Sequence, residues 1–286
     1  MKHSASHPGC IEIPIQTVVG NQCSAQNDRL AVEEPLEIRL GFGAHAQRSH
    51  KSISVTMRTP GDDPDLAAGF LFTEAIIESA AQIESIHACG DPAKKLKAQN
   101  VVRVELHPDV TVDLTRLERH FYTTSSCGVC GKTSIEALQL GACAPLPSNG
   151  PVVESALIHG LPEKLRKAQA IFDQTGGLHA AALFDFSGEL VALREDVGRH
   201  NAVDKLIGSQ LCAGKTPLHA RLMLLSGRAS FELVQKALRA GIPLVAAVGA
   251  PSSLAVELAA QFKMTLLGFV RGERFNVYCG AERLRR

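Results

Sequence analysis

The second half of the chain alternates three times between strand-like and helix-like segments, and this rhythm constrains the fold more than any other feature. Residues 221–225, 244–248 and 264–270 are short apolar runs of the length of a buried strand. Amphipathic stretches over residues 230–239 and 252–262 separate them. Such alternation predicts a layered α/β sheet with mostly parallel strands, whose ligands bind on loops at the carboxyl ends of the strands.

The first half of the chain has a different pattern, in which strand-like segments outnumber helix-like ones. This change of pattern and the length of 286 residues predict two domains behind a flexible leader. We place the leader at residues 1–25, a small α+β domain at 26–115 and the α/β domain at 116–286. The elements predicted for the first part are strands over 32–40, 51–58, 83–88 and 100–106 and a helix over 62–77; those added to the second part are strands over 179–184 and 190–194 and helices over 154–172 and 199–211.

The net charge argues against a general attraction to polyanions. Lys and Arg number 30 and Asp and Glu number 29, which leaves a formal charge of +1. No apolar run approaches the roughly 20 residues of a membrane span, and the first residues lack the apolar core of a secretory signal. We therefore predict a cytoplasmic protein without nucleic-acid or membrane partners.

Two of the eight cysteines, Cys127 and Cys130, lie three residues apart in the segment TTSSCGVCGKTS, and the others are scattered. A structural zinc site needs four ligands, and the sequence has neither a second Cys-x-x-Cys nor a suitably placed histidine pair, so no metal is predicted. A phosphate loop would need glycine where Ser126 stands. A dithiol redox pair and nucleophilic sulfur chemistry both remain open.

The surroundings of the cysteine pair favour a reactive thiolate. Gly128 and Gly131 give the backbone freedom, and Lys132 adds a cation. The helix-prone residues 133–140 would direct amide groups and the positive end of a helix towards the sulfur atoms. Because such surroundings lower the pKa of a thiol, the sequence predicts a cysteine that can attack a sulfur donor and hold the transferred sulfur as a persulfide.

Two loops at predicted strand ends are basic. Arg228 lies in SGRAS, directly after the strand predicted at 221–225, and Arg271 and Arg274 flank a glycine in VRGER. Guanidinium groups beside a helix start or a tight turn are suited to phosphate recognition. The two loops therefore predict a phosphorylated or nucleotide-like ligand.

The segment EDVGRHNAVDKLIG, residues 195–208, is a further candidate. Its apolar residues predict a buried stripe that leaves His200 and Asp204 one turn apart on a more polar face. Such a face is either ordinary surface with ion pairs or the polar wall of a ligand cleft, and the sequence leaves both interpretations open.

Four motifs together, CGVCGK, EDVGRHNAVDKLIG, SGRASFELVQKA and GFVRGERFNVY, resemble the FdhD family, the accessory proteins of formate dehydrogenase. The resemblance covers residues 33–278 and implies a sulfurtransferase-type sulfur carrier, with a persulfide on Cys127 and Cys130 as its partner. It implies a cysteine desulfurase as the sulfur donor and formate dehydrogenase as the recipient. The substrate would be that enzyme's guanine-nucleotide-bearing cofactor, Mo-bis(molybdopterin guanine dinucleotide). The resemblance also implies a core similar to cytidine deaminases, without their zinc chemistry, and a cofactor-binding segment made of Phe269, Val270, Arg271, Gly272, Glu273 and Arg274.

Two other functions stay open beside the sulfur carrier. One is a chaperone that binds the cofactor and docks on formate dehydrogenase without covalent sulfur chemistry, and the other is a dithiol redox protein. The sequence does not decide whether the carrier acts as an enzyme or forms a homodimer. It also does not decide whether Cys130 relays the sulfur or releases it by forming a disulfide.

Overall fold

The computed structural model describes residues 9–89, 100–112, 146 and 150–285, and the predicted thiol loop with Cys127 and Cys130 lies outside them. In this described part no helix combines the length and the apolarity that crossing a bilayer requires. The strands are β1 Cys10–Val19, β2 Gln22–Ala31, β3 Glu34–Phe42, β4 Ser49–Arg58, β5 Ile83–Cys89, β6 Val101–Leu106, β7 Val153–Glu154, β8 His179–Phe184, β9 Leu190–Asp196, β10 Leu222–Leu225, β11 Leu244–Ala247, β12 Thr265–Arg271, β13 Arg274–Cys279 and β14 Leu284–Arg285. The helices are α1 Asp63–Thr73, α2 Ser155–Ala168, α3 Ala170–Thr175, α4 Arg199–Cys212, α5 Phe231–Arg239 and α6 Ser253–Gln261.

The larger of the two main sheets has the strand order β13-β12-β11-β10-β8-β9 within the described residues. Strand β11 is parallel to both β10 and β12, whereas the pairs β8–β9, β8–β10 and β12–β13 are antiparallel. The prediction of a mixed α/β fold is confirmed, and the prediction of mostly parallel strands is wrong. Short turns explain the difference, because a chain that reverses over a few residues, as it does from β8 to β9 and from β12 to β13, pairs its strands antiparallel.

Helices cover both faces of this six-stranded sheet. Ala180, Ala182 and Phe184 of β8 belong to the buried cluster that includes α2. Ala181 and Leu183 belong to the cluster on the other face, which includes α4, α5 and α6. Because successive side chains of a strand point to opposite faces, a strand covered on both sides is apolar at nearly every position, as the sequence of β8 is.

The smaller sheet, with the order β4-β3-β6-β5, joins the larger one through helix α1, which packs on α4. The helices meet at two glycines. A Cβ atom at Gly69 would clash with the carbonyl oxygen of Asp204, and one at Gly208 with that of Asp65. Buried residues of both sheets form one continuous core around α1 and α4. The domain boundary predicted near residue 115 lies outside the described residues and stays a prediction.

Replacing Gly208 by alanine should destabilise the protein by about 1–3 kcal/mol, because the added methyl group forces the two helix backbones apart. Gly160 in α2 is a matched control, since a Cβ atom there would meet nothing within 4 Å. Alanine at that helical position should be neutral or stabilising. Urea unfolding of the two variants measures the difference, and equal stabilities would contradict a close helix contact.

The hairpin of β1 and β2 includes residues 10–25 of the predicted flexible leader, where the sequence predicts no strand. The ten residues of β1 pair with those of β2 in a continuous antiparallel register from Cys10 opposite Ala31. Strand β2 is polar and exposed over nearly all of its length, so it lacks the alternation by which a half-buried strand is recognised. Pro14 lies within β1, and a proline in a sequence usually argues against predicting a strand at that position.

The helix predicted over residues 154–172 is divided at Gln169 into α2 and α3. The carboxylate of Glu195 accepts hydrogen bonds from the amide groups of Ile171 at 3.0 Å and Phe172 at 2.9 Å. Amides in the first turn of a helix have no partner within it. A carboxylate from β9 satisfies them here and so stabilises the start of a separate helix.

Candidate functional site

The candidate site lies at the edge of the six-stranded sheet where β10, β11 and β12 end. Strand β8 begins at the same edge, because it is antiparallel to β10, and β9 ends there, because it is antiparallel to β8. Three segments meet there: the loop after β10 (residues 226–230), the loop after β11 (residues 248–252) and the turn from β12 to β13. This is the edge at which ligands of layered α/β sheets usually bind.

Backbone hydrogen bonds connect these segments to one another. The amide of Gly249 donates to the carbonyl of Gly227 at 2.9 Å, and the amide of Phe269 donates to the carbonyl of Gly249 at 3.1 Å. A Cβ atom at Gly249 would lie 3.1 Å from Cγ of Arg228, and one at Gly268 would lie 2.9 Å from Cδ of Pro251. Glycine at both positions therefore lets the loops approach closely and fixes where the side chains of Arg228 and Phe269 begin.

A group of charged and imidazole side chains gathers at this edge, and we call it the edge cluster. His179 begins β8, Arg199 and His200 form the start of α4, Arg228 follows β10, and Glu232 lies in the first turn of α5. Arg228 is exposed and the other four are partly buried. These residues come from three separate stretches of sequence, and the order of strands in the sheet brings the stretches together.

The cluster has a positive local field. Burial lowers the pKa of His179 below its ordinary value, and Arg199, His200 and Arg228 lower it further through their charge. At Glu232, burial alone would raise the pKa of the carboxyl group. Interaction with His200 and hydrogen bonds at the start of α5 outweigh this and lower the pKa to about 2. Glu232 is therefore ionised at neutral pH, and it lies 3.8 Å from Nε2 of His200.

Other polar residues of the segment 195–208 have structural roles. Asp196 is fully buried, pairs with Lys205 at 2.7 Å and accepts the amide of Thr59 at 3.1 Å. The side chain of Asn201 donates to the carbonyl of Met57 at 2.7 Å. These contacts attach α4 to the last residues of β4 and to Thr59, which follows that strand.

Asp204 corrects the prediction that it shares a polar face with His200. Its side chain is only 3% exposed and pairs with Lys236 of α5 at 2.9 Å. It also accepts a hydrogen bond from the hydroxyl of Thr73 in α1 at 2.7 Å. Partners from two other helices make this carboxylate part of the core, and neither helix could be assigned to it from the local helical pattern.

The predicted cofactor-binding segment, Phe269–Arg274, forms the turn between β12 and β13. Arg271 and Arg274 are opposite each other across this turn and exposed. The guanidinium carbon of Arg271 lies 6.0 Å from the ring centre of Phe269. Neither arginine has an ion-pair partner among the residues that the structure describes. The segment is thus available to an anionic ligand, whereas the other predicted site residues, Cys127 and Cys130, lie outside the described ranges.

The turn and the edge cluster lie along one edge of the sheet. Three strand spacings separate β8 from β12, which corresponds to roughly 14 Å. Sequence reasoning assigned no role to His179 or Glu232. The only signals were a histidine at the start of a strand and an acidic residue just after the helix-starting Ser230, and both are common in structures without ligands.

Comparison with known proteins finds relatives over nearly the whole chain. The model of the FdhD/NarQ family matches residues 31–285. The sulfur carrier protein FdhD of Streptomyces avermitilis is 52% identical over 263 residues, which cover 91% of this chain and 90% of the relative. The protein of the same name from Mycobacterium tuberculosis is 46% identical over 275 residues, with coverages of 94% and 96%. A crystal structure from Desulfotalea psychrophila, described as that of a formate dehydrogenase accessory protein, superposes with a TM-score of 0.73 at 26% identity and covers 97% of this chain and 100% of its own.

Proposed function

The chain belongs to the FdhD/NarQ family, and on that premise we propose that it is a sulfur carrier that serves formate dehydrogenase. The observation that carries the proposal is the extent of the match. Residues 31–285 include the cysteine motif, the basic loop after β10 and the turn after β12. Relatives that share this whole span are named sulfur carrier protein FdhD.

The first step of the proposed reaction loads sulfur on Cys127. The thiolate of Cys127 attacks the terminal sulfur of a cysteine persulfide on a cysteine desulfurase. The sulfur–sulfur bond of the donor breaks, the donor cysteine leaves as a thiolate, and Cys127 becomes the persulfide. The exchange consumes no oxidant or reductant, because one persulfide replaces another.

Cys130 has two routes by which it can act next. In a relay, its thiolate attacks the terminal sulfur and becomes the persulfide while Cys127 returns to a thiolate. In a release, the thiol of Cys130 attacks the inner sulfur, so that a disulfide forms and the outer sulfur leaves as sulfide. A dithiol reductant must then reopen the disulfide.

The acceptor in this proposal is Mo-bis(molybdopterin guanine dinucleotide), which the protein holds as a substrate. Phe269–Arg274 would bind it, since the partly buried ring of Phe269 offers a face to a base, and the exposed Arg271 and Arg274 attract anionic groups. The same exposed position would let the cofactor pass to formate dehydrogenase.

We further propose that the six-stranded sheet with its covering helices is the cytidine deaminase-like layer implied by the sequence resemblance. The proposed site of action is the cytoplasm, where reducing conditions keep thiols such as Cys127 available. A homodimer would be compatible with this role.

Intact-mass spectrometry tests the proposal directly. The protein is incubated with a cysteine desulfurase and cysteine, and we expect a mass increase of one sulfur atom that maps to the peptide holding Cys127. Omission of cysteine, or treatment with a dithiol reductant, should abolish the increase. An increase confined to Cys23 or Cys212, which are exposed thiols outside the motif, would contradict the proposal.

A further inference from the structure

Two side chains at the start of α4 have buried polar atoms without partners. Nε of Arg199 and Nε2 of His200 are shielded from solvent, and neither makes a hydrogen bond within the part of the chain that the structure describes. His200 lies near Glu232, but its Nε2 is 3.8 Å from the nearest carboxylate oxygen, which is too long for a hydrogen bond. Buried donors in native proteins are nearly always paired with protein, water or a ligand.

The contrast with their neighbours in the sequence makes these two residues unusual. Asp196, Asn201 and Lys205 all have hydrogen-bonding partners inside the protein. The other polar groups of the segment thus form hydrogen bonds within the protein. Nε of Arg199 and Nε2 of His200, near the loop after β10, form none within the described residues. Donors arranged in this way are suited to an acceptor that comes from outside the described residues.

The charges around Arg199 and His200 favour an anion. Arg228 is exposed on the adjacent loop, and its side chain begins against Gly249, at the end of β11. His179 lies beside Gly227, where a Cβ atom would be 3.4 Å from its Nδ1. Helices α4 and α5, of 14 and nine residues, both begin at this edge and direct their positive ends towards it.

Glu232 does not cancel this field. Its carboxylate interacts with His200 and with donors at the start of its own helix, so its negative charge is largely compensated locally. The two arginines then outweigh this one compensated carboxylate, and His179, whose lowered pKa leaves it neutral, adds a hydrogen-bonding group rather than a charge. A ligand with more than one negative charge fits this balance better than a single carboxylate group does.

We propose that Arg199, His200, Arg228 and His179 form a diphosphate-binding site that is separate from the turn Phe269–Arg274. The ligand's identity, a guanine dinucleotide, rests on the proposed function, whereas the phosphate chemistry rests on the edge cluster alone. One ligand lies along the edge of the sheet, with its base at the turn and its phosphates at the edge cluster. The separation of roughly 14 Å between β8 and β12 is of the size of a nucleoside diphosphate.

Calorimetric titration with GDP, guanosine and inorganic pyrophosphate tests this site. Arg199→Gln and Arg228→Gln should each weaken GDP binding about tenfold, the effect of losing one hydrogen bond to a charged group. Guanosine, which has no phosphate, should bind both variants as it binds the wild-type protein. Arg221→Gln is the matched control, because Arg221 precedes β10 at its opposite end and donates to the carbonyl of Ala220.

The outcomes separate this inference from the proposed function. If Arg199→Gln and Arg228→Gln bind GDP with unchanged affinity, the diphosphate site is wrong. It is also wrong if these variants lose as much affinity for guanosine as for GDP. Neither result affects the proposed function. If the wild-type protein binds pyrophosphate through Arg199 and Arg228 but does not bind GDP, the site stands and the guanine cofactor assignment falls. If the wild-type protein binds neither GDP nor pyrophosphate, the diphosphate site is overturned. Thermal unfolding of the variants checks that each is folded as well as the wild type.

Discussion

Cys127→Ala is expected to abolish sulfur loading and to reduce the maturation of formate dehydrogenase to background. Alanine offers no thiolate, and without a thiolate no persulfide can form at this position. The loss should be complete, because in the proposed reaction Cys127 is the residue that accepts the sulfur from the donor persulfide. The measurement combines the sulfur increment by intact mass with formate dehydrogenase activity in cells that carry the variant.

Cys23→Ala is the control for this prediction. Cys23 is an exposed free thiol in the hairpin of β1 and β2, so its loss should change neither readout. Normal sulfur loading of Cys127→Ala would refute the assignment of the persulfide. If Cys130→Ala still acquires sulfur but formate dehydrogenase does not mature, Cys130 acts after loading, as the relay and the release routes both require.

A variant that lacks both thiols distinguishes the two remaining functions from the carrier. If formate dehydrogenase still matures in its presence, the protein acts as a cofactor chaperone without sulfur chemistry. If the wild-type pair forms a reversible disulfide at cytosolic potentials and never carries extra sulfur, the protein is a dithiol redox partner. The carrier requires the extra sulfur to appear and the double variant to fail.

The elements of the larger sheet were predictable because most of them are buried on both sides. Strands β10 and β11 are short apolar runs in the sequence, and helix α5 between them has a clear amphipathic pattern. Local pattern was sufficient at these places, since burial alone fixes which residues are apolar. It failed for β2, which buries almost nothing, and at Gln169, where a distant carboxylate divides a helix.

The site was predictable only in parts for a related reason. Each basic loop could be recognised from its own arginines, and Arg228 and Arg271 indeed lie at strand ends on one edge. The approach of His179 to Arg199 depends on β8 lying next to both β9 and β10. Strand order is a long-range property, so no local pattern could have shown that these side chains form one cluster.

Lys236→Met is expected to destabilise the protein by about 3–5 kcal/mol, which is typical of removing one partner of a buried ion pair. Nζ of Lys236 donates to both carboxylate oxygens of Asp204 at 2.9 Å and to the hydroxyl of Thr73 at 2.9 Å. It also pairs with Glu74 at 3.1 Å. These contacts join α1, α4 and α5 at the centre of the shared core.

The loss of stability caused by Lys236→Met should increase as the pH rises. Burial raises the pKa of Asp204, and in the wild-type protein the charge of Lys236 opposes this rise. Without the lysine, the carboxyl group is more easily protonated in the folded state than in the unfolded state. A group whose pKa is raised on folding contributes less stability as the pH rises. The difference in unfolding free energy between variant and wild type should therefore be smaller at pH 5 than at pH 8.

Two further variants make the measurement decisive. Adding Asp204→Leu to Lys236→Met should recover part of the lost stability, because an apolar pair replaces an unpaired buried charge. Lys164→Met removes a lysine that is 45% exposed and pairs with Glu189 on the surface, and it should cost less than about 1 kcal/mol. Urea unfolding at the two pH values gives all of these differences. A loss as small for Lys236→Met as for Lys164→Met would show that the three helices are held by apolar packing alone, with the ion pair contributing nothing to their attachment.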